Sequence, residues 1–222
     1  MTALAERTVG IFGAGKSGVA IARRALDAGY GVAVATSGPA WRTDLVTRVL
    51  TPGVRAVDAA ELASVAPIVV LAVPLRRLRE LPLSTLAGRI VVDIMNYWEP
   101  TDGVLPDFAS RAHASSLIVR AALPASARLV KTFNHIGYHE MEQLARPSGT
   151  VGRVALGVAG DDLDAVATIA RFVDDLGFDP VSTGTLADSH CLQPGSPLFG
   201  ADMEPAAFRE ALSQLASREV PA

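Results

Sequence analysis

From Thr8 onward the chain alternates short apolar runs with amphipathic stretches of helix length. This is the pattern of βαβ units that build a parallel sheet. Thr8 to Phe12 predicts the first strand. Lys16 to Ala28 predicts a helix with Val19, Ala22 and Leu26 on one side and Arg23, Arg24 and Asp27 on the other, closed by Gly29. Val32 to Ala35, Val54 to Val57, Ile68 to Val73, Arg89 to Ile94 and Ala127 to Phe133 predict strands two to six. Between them lie helices at Trp41 to Leu50, at Ala59 to Val65, and after a long loop up to about Leu123. Six such strands complete two mononucleotide-binding halves.

Beyond residue 134 an apolar run at Val154 to Val158, a helix at Leu163 to Leu176 and a strand at Pro180 to Ser182 are expected to extend the same sheet. Gln193 to Gly200 reads as a proline and glycine loop, and Glu204 to Ala216 as a final helix. The fold class is therefore α/β, a doubly wound, mostly parallel Rossmann sheet. The division expected is a dinucleotide-binding domain over 1–190 with a C-terminal loop and helix over 191–222 packed on it.

Composition narrows the function. Of 222 residues, 50% are hydrophobic and 19% charged, enough for a sizeable core and unlike a disordered chain. A formal net charge of −3 without a basic run argues against nucleic acid as a partner. The charge-free stretches Ala28 to Trp41 and Leu62 to Leu75 are too short to span a bilayer. The opening MTALAERTVG lacks signal-peptide character, and the lone Cys191 has no disulfide mate, so a cytoplasmic setting is expected.

The sharpest chemical signal is Gly13-Ala14-Gly15-Lys16-Ser17-Gly18, a G-x-G-x-x-G between the first strand and the first helix. Gly13 permits the tight turn, Gly15 lets a pyrophosphate approach the backbone, and Gly18 brings the helix close to the sheet, with the helix N-terminus facing the anion. A Walker loop would need its Lys after the last glycine. NAD enzymes place a carboxylate at the end of strand two, whereas here Val34-Ala35-Thr36-Ser37-Gly38 holds no acid. Thr36 and Ser37 can donate hydroxyl bonds to a 2′-phosphate and Arg42 can supply positive charge, so NADP is favoured.

Ligands of such sheets sit beyond the carboxyl ends of the strands. Strand four ends in Val73-Pro74, where the proline either closes over the nicotinamide or ends the strand. Strand five runs into Asp93-Ile94-Met95-Asn96-Tyr97-Trp98, whose aromatics either wall a planar ring or form a small satellite core. Strand six ends in Lys131-Thr132-Phe133-Asn134-His135-Ile136. Asn134 and His135 either position a carboxamide or ring carbonyl, or are a capping Asn and a surface His. A catalytic metal on His135 and His139 is disfavoured because Gly137 interrupts the pair and H-E-x-x-H is absent. No G-x-S-x-G elbow starts a serine triad, and no convincing acid–base pair stands out.

The Gly13–Gly18 turn, Thr36-Ser37, Val70-Leu71-Ala72-Val73-Pro74, Val91-Val92-Asp93, Val130-Lys131-Thr132-Phe133-Asn134-His135-Ile136 and Gly157-Val158-Ala159-Gly160-Asp161-Asp162 occur in the order of the F420-dependent NADP oxidoreductases, which the chain resembles over most of residues 8 to 190. Asp93, Asn96 and the Lys-x-Phe-Asn run are also similar to the reductase domain of the STEAP metalloreductases. The resemblance implies an NADP-dependent oxidoreductase that passes hydride directly to the deazaflavin of coenzyme F420. Asn134 and His135 would then be positioning groups, and Gly13, Ala14, Gly15, Lys16, Ser17, Gly18, Thr36, Ser37, Arg42, Val73, Pro74 and Asn96 the cofactor-binding set. A flavin, imine or carbonyl reductase and a non-catalytic dinucleotide sensor are the alternatives. A small-molecule substrate is implied, and the apolar tail helix makes a homodimer plausible. The chain departs from the family at Gly38, where an arginine is often found, and at the Gln193–Gly200 loop, where helix is common.

Overall fold

The computed structural model describes residues 7–108 and 113–219; the first residues of the MTALAERTVG segment and part of the loop before Leu123 lie outside them. Eight strands form one sheet in the order β3-β2-β1-β4-β5-β6-β7-β8. They are β1 (Thr8–Phe12), β2 (Gly31–Ala35), β3 (Arg55–Ala56), β4 (Ile68–Leu71), β5 (Ile90–Asp93), β6 (Arg128–Lys131), β7 (Ala155–Gly160) and β8 (Asp179–Gly184). The helices are α1 (Lys16–Asp27), α2 (Ala40–Leu50), α3 (Leu62–Val65), α4 (Glu99–Asp102), α5 (Ser115–Ala122), α6 (Tyr138–Gln143), α7 (Leu163–Asp175) and α8 (Pro205–Glu219).

The first six strands are all parallel, and their order is that of two mononucleotide halves meeting at the β1/β4 switch point. Both sheet faces are covered, which is why β4 and β5 are buried at every position rather than alternately. Ile11, Ile21, Val70, Phe133, Ile169 and Phe172 pack on one face, and Phe12, Leu62, Leu71, Leu86, Val91 and Val119 on the other. Helix α1 ends as its sequence dictates: Gly29 adopts φ +79°, and Gly29 N and Tyr30 N donate back to Leu26 O and Ala25 O at 2.9 Å.

The extension beyond β6 joins the same sheet, but β7 enters antiparallel to β6 before β8 returns parallel to β7. No full crossover helix intervenes between β6 and β7. The short α6 and a turn reverse the chain instead, and an apolar run has no direction by which the reversal could be foreseen. Strand β3 shrinks to two residues, and the expected helix from Ala59 begins only at Leu62. The tail helix α8 buries Phe208 fully and packs Leu212 and Leu215 with Ala155, Val181 and Leu198. Those apolar side chains, offered above as a reason for a dimer, are thus used inside the chain. Among the described residues no helix is long and apolar enough to cross a membrane.

Candidate functional site

The turn after β1 opens at the switch point, and its three glycines have three different physical reasons. Gly13 sits at φ +113°, and a Cβ there would collide with the carbonyl oxygen of Ala72 on β4's outgoing turn. A Cβ on Gly18 would collide with the Gly13 carbonyl oxygen, so its bareness lets α1 lie against the turn. A Cβ on Gly15 would meet nothing within 4 Å. Its bareness serves nothing inside the chain and faces open cleft.

One cleft of about 440 Å³ runs from Gly13, Ala14 and Gly15 past Thr36, Ser37 and Gly38 to Val73, Pro74 and Arg77. A second of about 430 Å³ shares Gly15, Val73 and Pro74 and continues past Lys16, Ser17, Asn96, Trp98 and Tyr138. Together they lie across the strand ends as a dinucleotide and a second ring would.

At the first end, Ser37 is exposed, whereas Thr36 is half-buried and its hydroxyl is engaged, sharing a hydrogen bond with Thr43 at 2.8 Å and accepting from Gly38 N at 3.3 Å. Arg42 is exposed, lies over the Trp41 ring at 5.1 Å, and would be within 3.6 Å of a Cβ on Gly38. The arginine on α2 thus borders the space that Gly38 leaves. Arg77 also borders this cleft and donates twice to Glu80, at 2.8 and 2.6 Å; sequence reading passed over both, because the short 3-10 turn Leu75–Glu80 that carries them gives no periodic signal.

The second end is framed from behind by a buried polar network. Lys131 on β6 and Asp93 on β5 are fully buried and paired at 3.1 Å. Asp93 also accepts from Ser116 Oγ at 2.7 Å and Met95 N at 2.9 Å, and Lys131 donates to the Met95 carbonyl. Burial pulls the Lys131 amine below its ordinary value, against the pull of Asp93. The network fixes the Met95–Asn96 turn.

Phe133, buried at φ +59°, is the one non-glycine residue with positive φ among the described residues. The turn leaves Asn134 facing Asn96: Asn134 Nδ2 donates to Asn96 Oδ1 at 3.0 Å and to Leu192 O at 2.7 Å, while Asn96 Nδ2 donates to Asn134 O at 2.6 Å. Asn96 lines the cleft and Asn134 stands behind it. His135 does not reach the cleft; it is 2% exposed, and Gly157 N donates to its Nε2 at 3.0 Å. The acceptor role of Nε2 fixes a neutral ring with the proton on Nδ1. Burial, then the Lys131 charge, push its pKa down to about 3. Neither alternative offered for His135 describes it, since the ring neither lines the cleft nor lies on the surface: the apolar interior has taken it, a choice that adjacency in sequence does not reveal. Exposed His139 on α6 shares no site with it, and among the described residues no group of three His, Cys, Asp or Glu is placed to hold a metal.

The two aromatics after β5 divide the alternatives between them. Tyr97 stacks on Phe108 at 6.2 Å and donates to Gly103 O, a satellite core, while Trp98 is 48% exposed, lines the cleft, and meets Phe199 of the C-terminal loop edge-on at 5.9 Å. Across from it Lys16 Nζ donates to Tyr138 Oη at 3.1 Å. This pair joins residues 122 positions apart, which no sequence motif announces.

A Gly-rich turn at the switch point of such a sheet, with an open cleft along it, is the arrangement of a dinucleotide-binding protein of the Rossmann class. A family model described as NADP oxidoreductase, coenzyme F420-dependent, matches residues 8–97. The solved structure of protein SMa0349 from Sinorhizobium meliloti is 30% identical, with 88% of this chain and 94% of that chain covered and a TM-score of 0.72. The chain belongs to this family, and its class is that of the NADP-dependent oxidoreductases. A candidate F420-dependent NADP reductase from Arthrobacter sp. FB24 shares the fold at 23% identity, covering 88% of this chain and 98% of that one, with a TM-score of 0.68. Protein YjhV of Escherichia coli K12 is 43% identical over 65 residues, which span 29% of this chain and 47% of that protein.

Proposed function

We propose that the chain passes a hydride between NADP(H) and the deazaflavin coenzyme F420. The observation that carries this reading is Gly15: a residue with no internal reason to be bare stands at a helix N-terminus where two clefts meet. The residues present fit the dinucleotide. The Gly13–Gly18 turn and the first amides of α1 would hold the pyrophosphate, with Lys16 and Ser17 beside it. Ser37 and Arg42 would take the 2′-phosphate in place of the family's more usual arginine at Gly38, with Thr36 shaping the turn through its engaged hydroxyl. Val73 and Pro74 would wall the nicotinamide side.

When bound, NADPH supplies the hydride. The part left to the protein would be to orient donor and acceptor, which raises the rate without a covalent step. Asn96, held by Asn134, would fix an amide or carbonyl edge, with Trp98 opposite. His135 would act at one remove, by supporting Asn134 and β7. Family membership supports F420 as the acceptor, and a cytoplasmic setting with a small-molecule substrate belongs to the same reading.

Calorimetry should give NADPH an affinity about ten- to a hundredfold above NADH, the value of one or two charge-assisted phosphate bonds. Arg42→Ala should remove about tenfold of that preference; equal affinities in the unmodified protein would overturn the NADP assignment. Stopped-flow mixing of the NADPH complex with oxidised F420 should show its absorbance fall in a single turnover. Absence of transfer would overturn F420 as the acceptor.

A further inference from the structure

Reduction of a planar acceptor needs a proton as well as a hydride, and the cleft holds one arrangement built to deliver it. Lys16 is the first residue of α1 and Tyr138 the first of α6, and both line the acceptor half together with Asn96, Trp98 and Pro74. The Lys16 ammonium has no lone pair, so at 3.1 Å it donates and the Tyr138 oxygen accepts. That polarity leaves the phenol's own proton free, and no protein acceptor among the described residues takes it. The same ammonium lies 5.0 Å from the centre of the Tyr138 ring. The two residues come from two helices that pack against each other, and each is the first position of its helix.

We propose that Tyr138 is the proton donor to the acceptor and that Lys16 neutralises the phenolate left behind, an assignment that rests on reading the cleft as a hydride-transfer site. The balance is simple. The hydride adds to the electron-poor carbon of the acceptor, the displaced electron pair moves to the conjugated ring nitrogen or carbonyl oxygen, and the Tyr138 Oη proton bonds to that atom. Solvent reprotonates the phenolate at the exposed Lys16 side. NADPH, acceptor and one proton give NADP+ and the doubly reduced acceptor, with Tyr138 and Lys16 restored.

The test uses the full chain and has two readouts. In the first, oxidised F420 is titrated by calorimetry into protein saturated with NADP+, where no reduction can occur. Tyr138→Phe should weaken F420 binding about three- to tenfold, the value of one hydrogen bond, with NADPH affinity unchanged. In the second, single-turnover transfer from NADPH to F420 is followed from pH 6 to 8. Tyr138→Phe should slow it about 100-fold at neutral pH. The variant's rate should fall about tenfold per pH unit as solvent becomes the donor, while the unmodified protein's rate stays nearly flat. With NADPH saturating, since Lys16 also borders the pyrophosphate, Lys16→Met should show the same slowing and the same pH dependence of transfer as Tyr138→Phe, with Lys16→Arg recovering most of the rate.

A transfer rate within twofold of the unmodified protein would overturn the proposal. So would an equal slowing at every pH, which would mean a merely structural tyrosine. Transfer to a cyclic imine but not to F420, with the same dependence on Tyr138, would overturn the acceptor and uphold the donor. NADPH binding without transfer to either acceptor would overturn both readings.

Discussion

The two halves of the cleft are made in opposite ways. The dinucleotide half is backbone: one turn within six residues, one helix N-terminus, and glycines whose absent side chains do the positioning. The acceptor half is side chains: a buried Lys131–Asp93 pair, an Asn96–Asn134 exchange across 38 residues, and a Lys16–Tyr138 bond across 122. The first half needs little beyond the strand, turn and helix and the outgoing turn of β4 against which Gly13 packs. The second exists only when β5, β6 and α6 are all in place. Damage should therefore separate cleanly into loss of binding at one end and loss of stability or rate at the other.

The largest effect is expected from Lys131→Met. It strands the Asp93 carboxylate in a fully buried site, and losing one partner of such a pair costs about 3–5 kcal/mol. Urea denaturation should show that loss. The double replacement Lys131→Met with Asp93→Leu should recover much of it in stability while leaving the Met95–Asn96 turn, and so the acceptor half, misplaced. A single variant as stable as the parent would break the comparison.

Gly15→Val should weaken NADPH binding at least about 100-fold by occupying the space the pyrophosphate needs, with Tm essentially unchanged because a Cβ there meets nothing within 4 Å. Gly13→Val should instead compromise folding, since its Cβ collides with the Ala72 carbonyl at a positive φ. If both variants fold and bind alike, the glycines are only a turn.

The smallest effect is a slope. His135 is neutral in the fold with a pKa of about 3, against about 6.5 in the unfolded chain, so below pH 6.5 the unfolded chain binds the extra proton. Its contribution is fully present above pH 6.5 and drains away as pH falls towards 3, by up to about 1.4 kcal/mol per pH unit. Denaturation midpoints taken from pH 7 to 4.5 should show that fall, and the slope should flatten in His135→Gln. An unchanged slope in the variant would mean that the ring titrates freely.

Legible in the chain alone were the strand and helix alternation, the two mononucleotide halves of a doubly wound sheet, and the glycine turn with a second strand end that lacks a carboxylate. These are local: periodicity, a turn's steric demand and a missing carboxylate are all legible within a few residues. Only the tertiary structure decided that β7 runs antiparallel, that α8's apolar face is covered from within, that His135 turns inward while Asn134 braces Asn96, and that Lys16 meets Tyr138. The two strand-end residues lie side by side in sequence. Which of them braces the cleft-lining Asn96 and which turns into the interior depends on the φ of Phe133 and on the amide of Gly157, both set by packing against the other strands. Burial and partnership are properties of the assembled sheet, and a side chain's neighbours across it are separated in the chain by every residue the fold has yet to bring together.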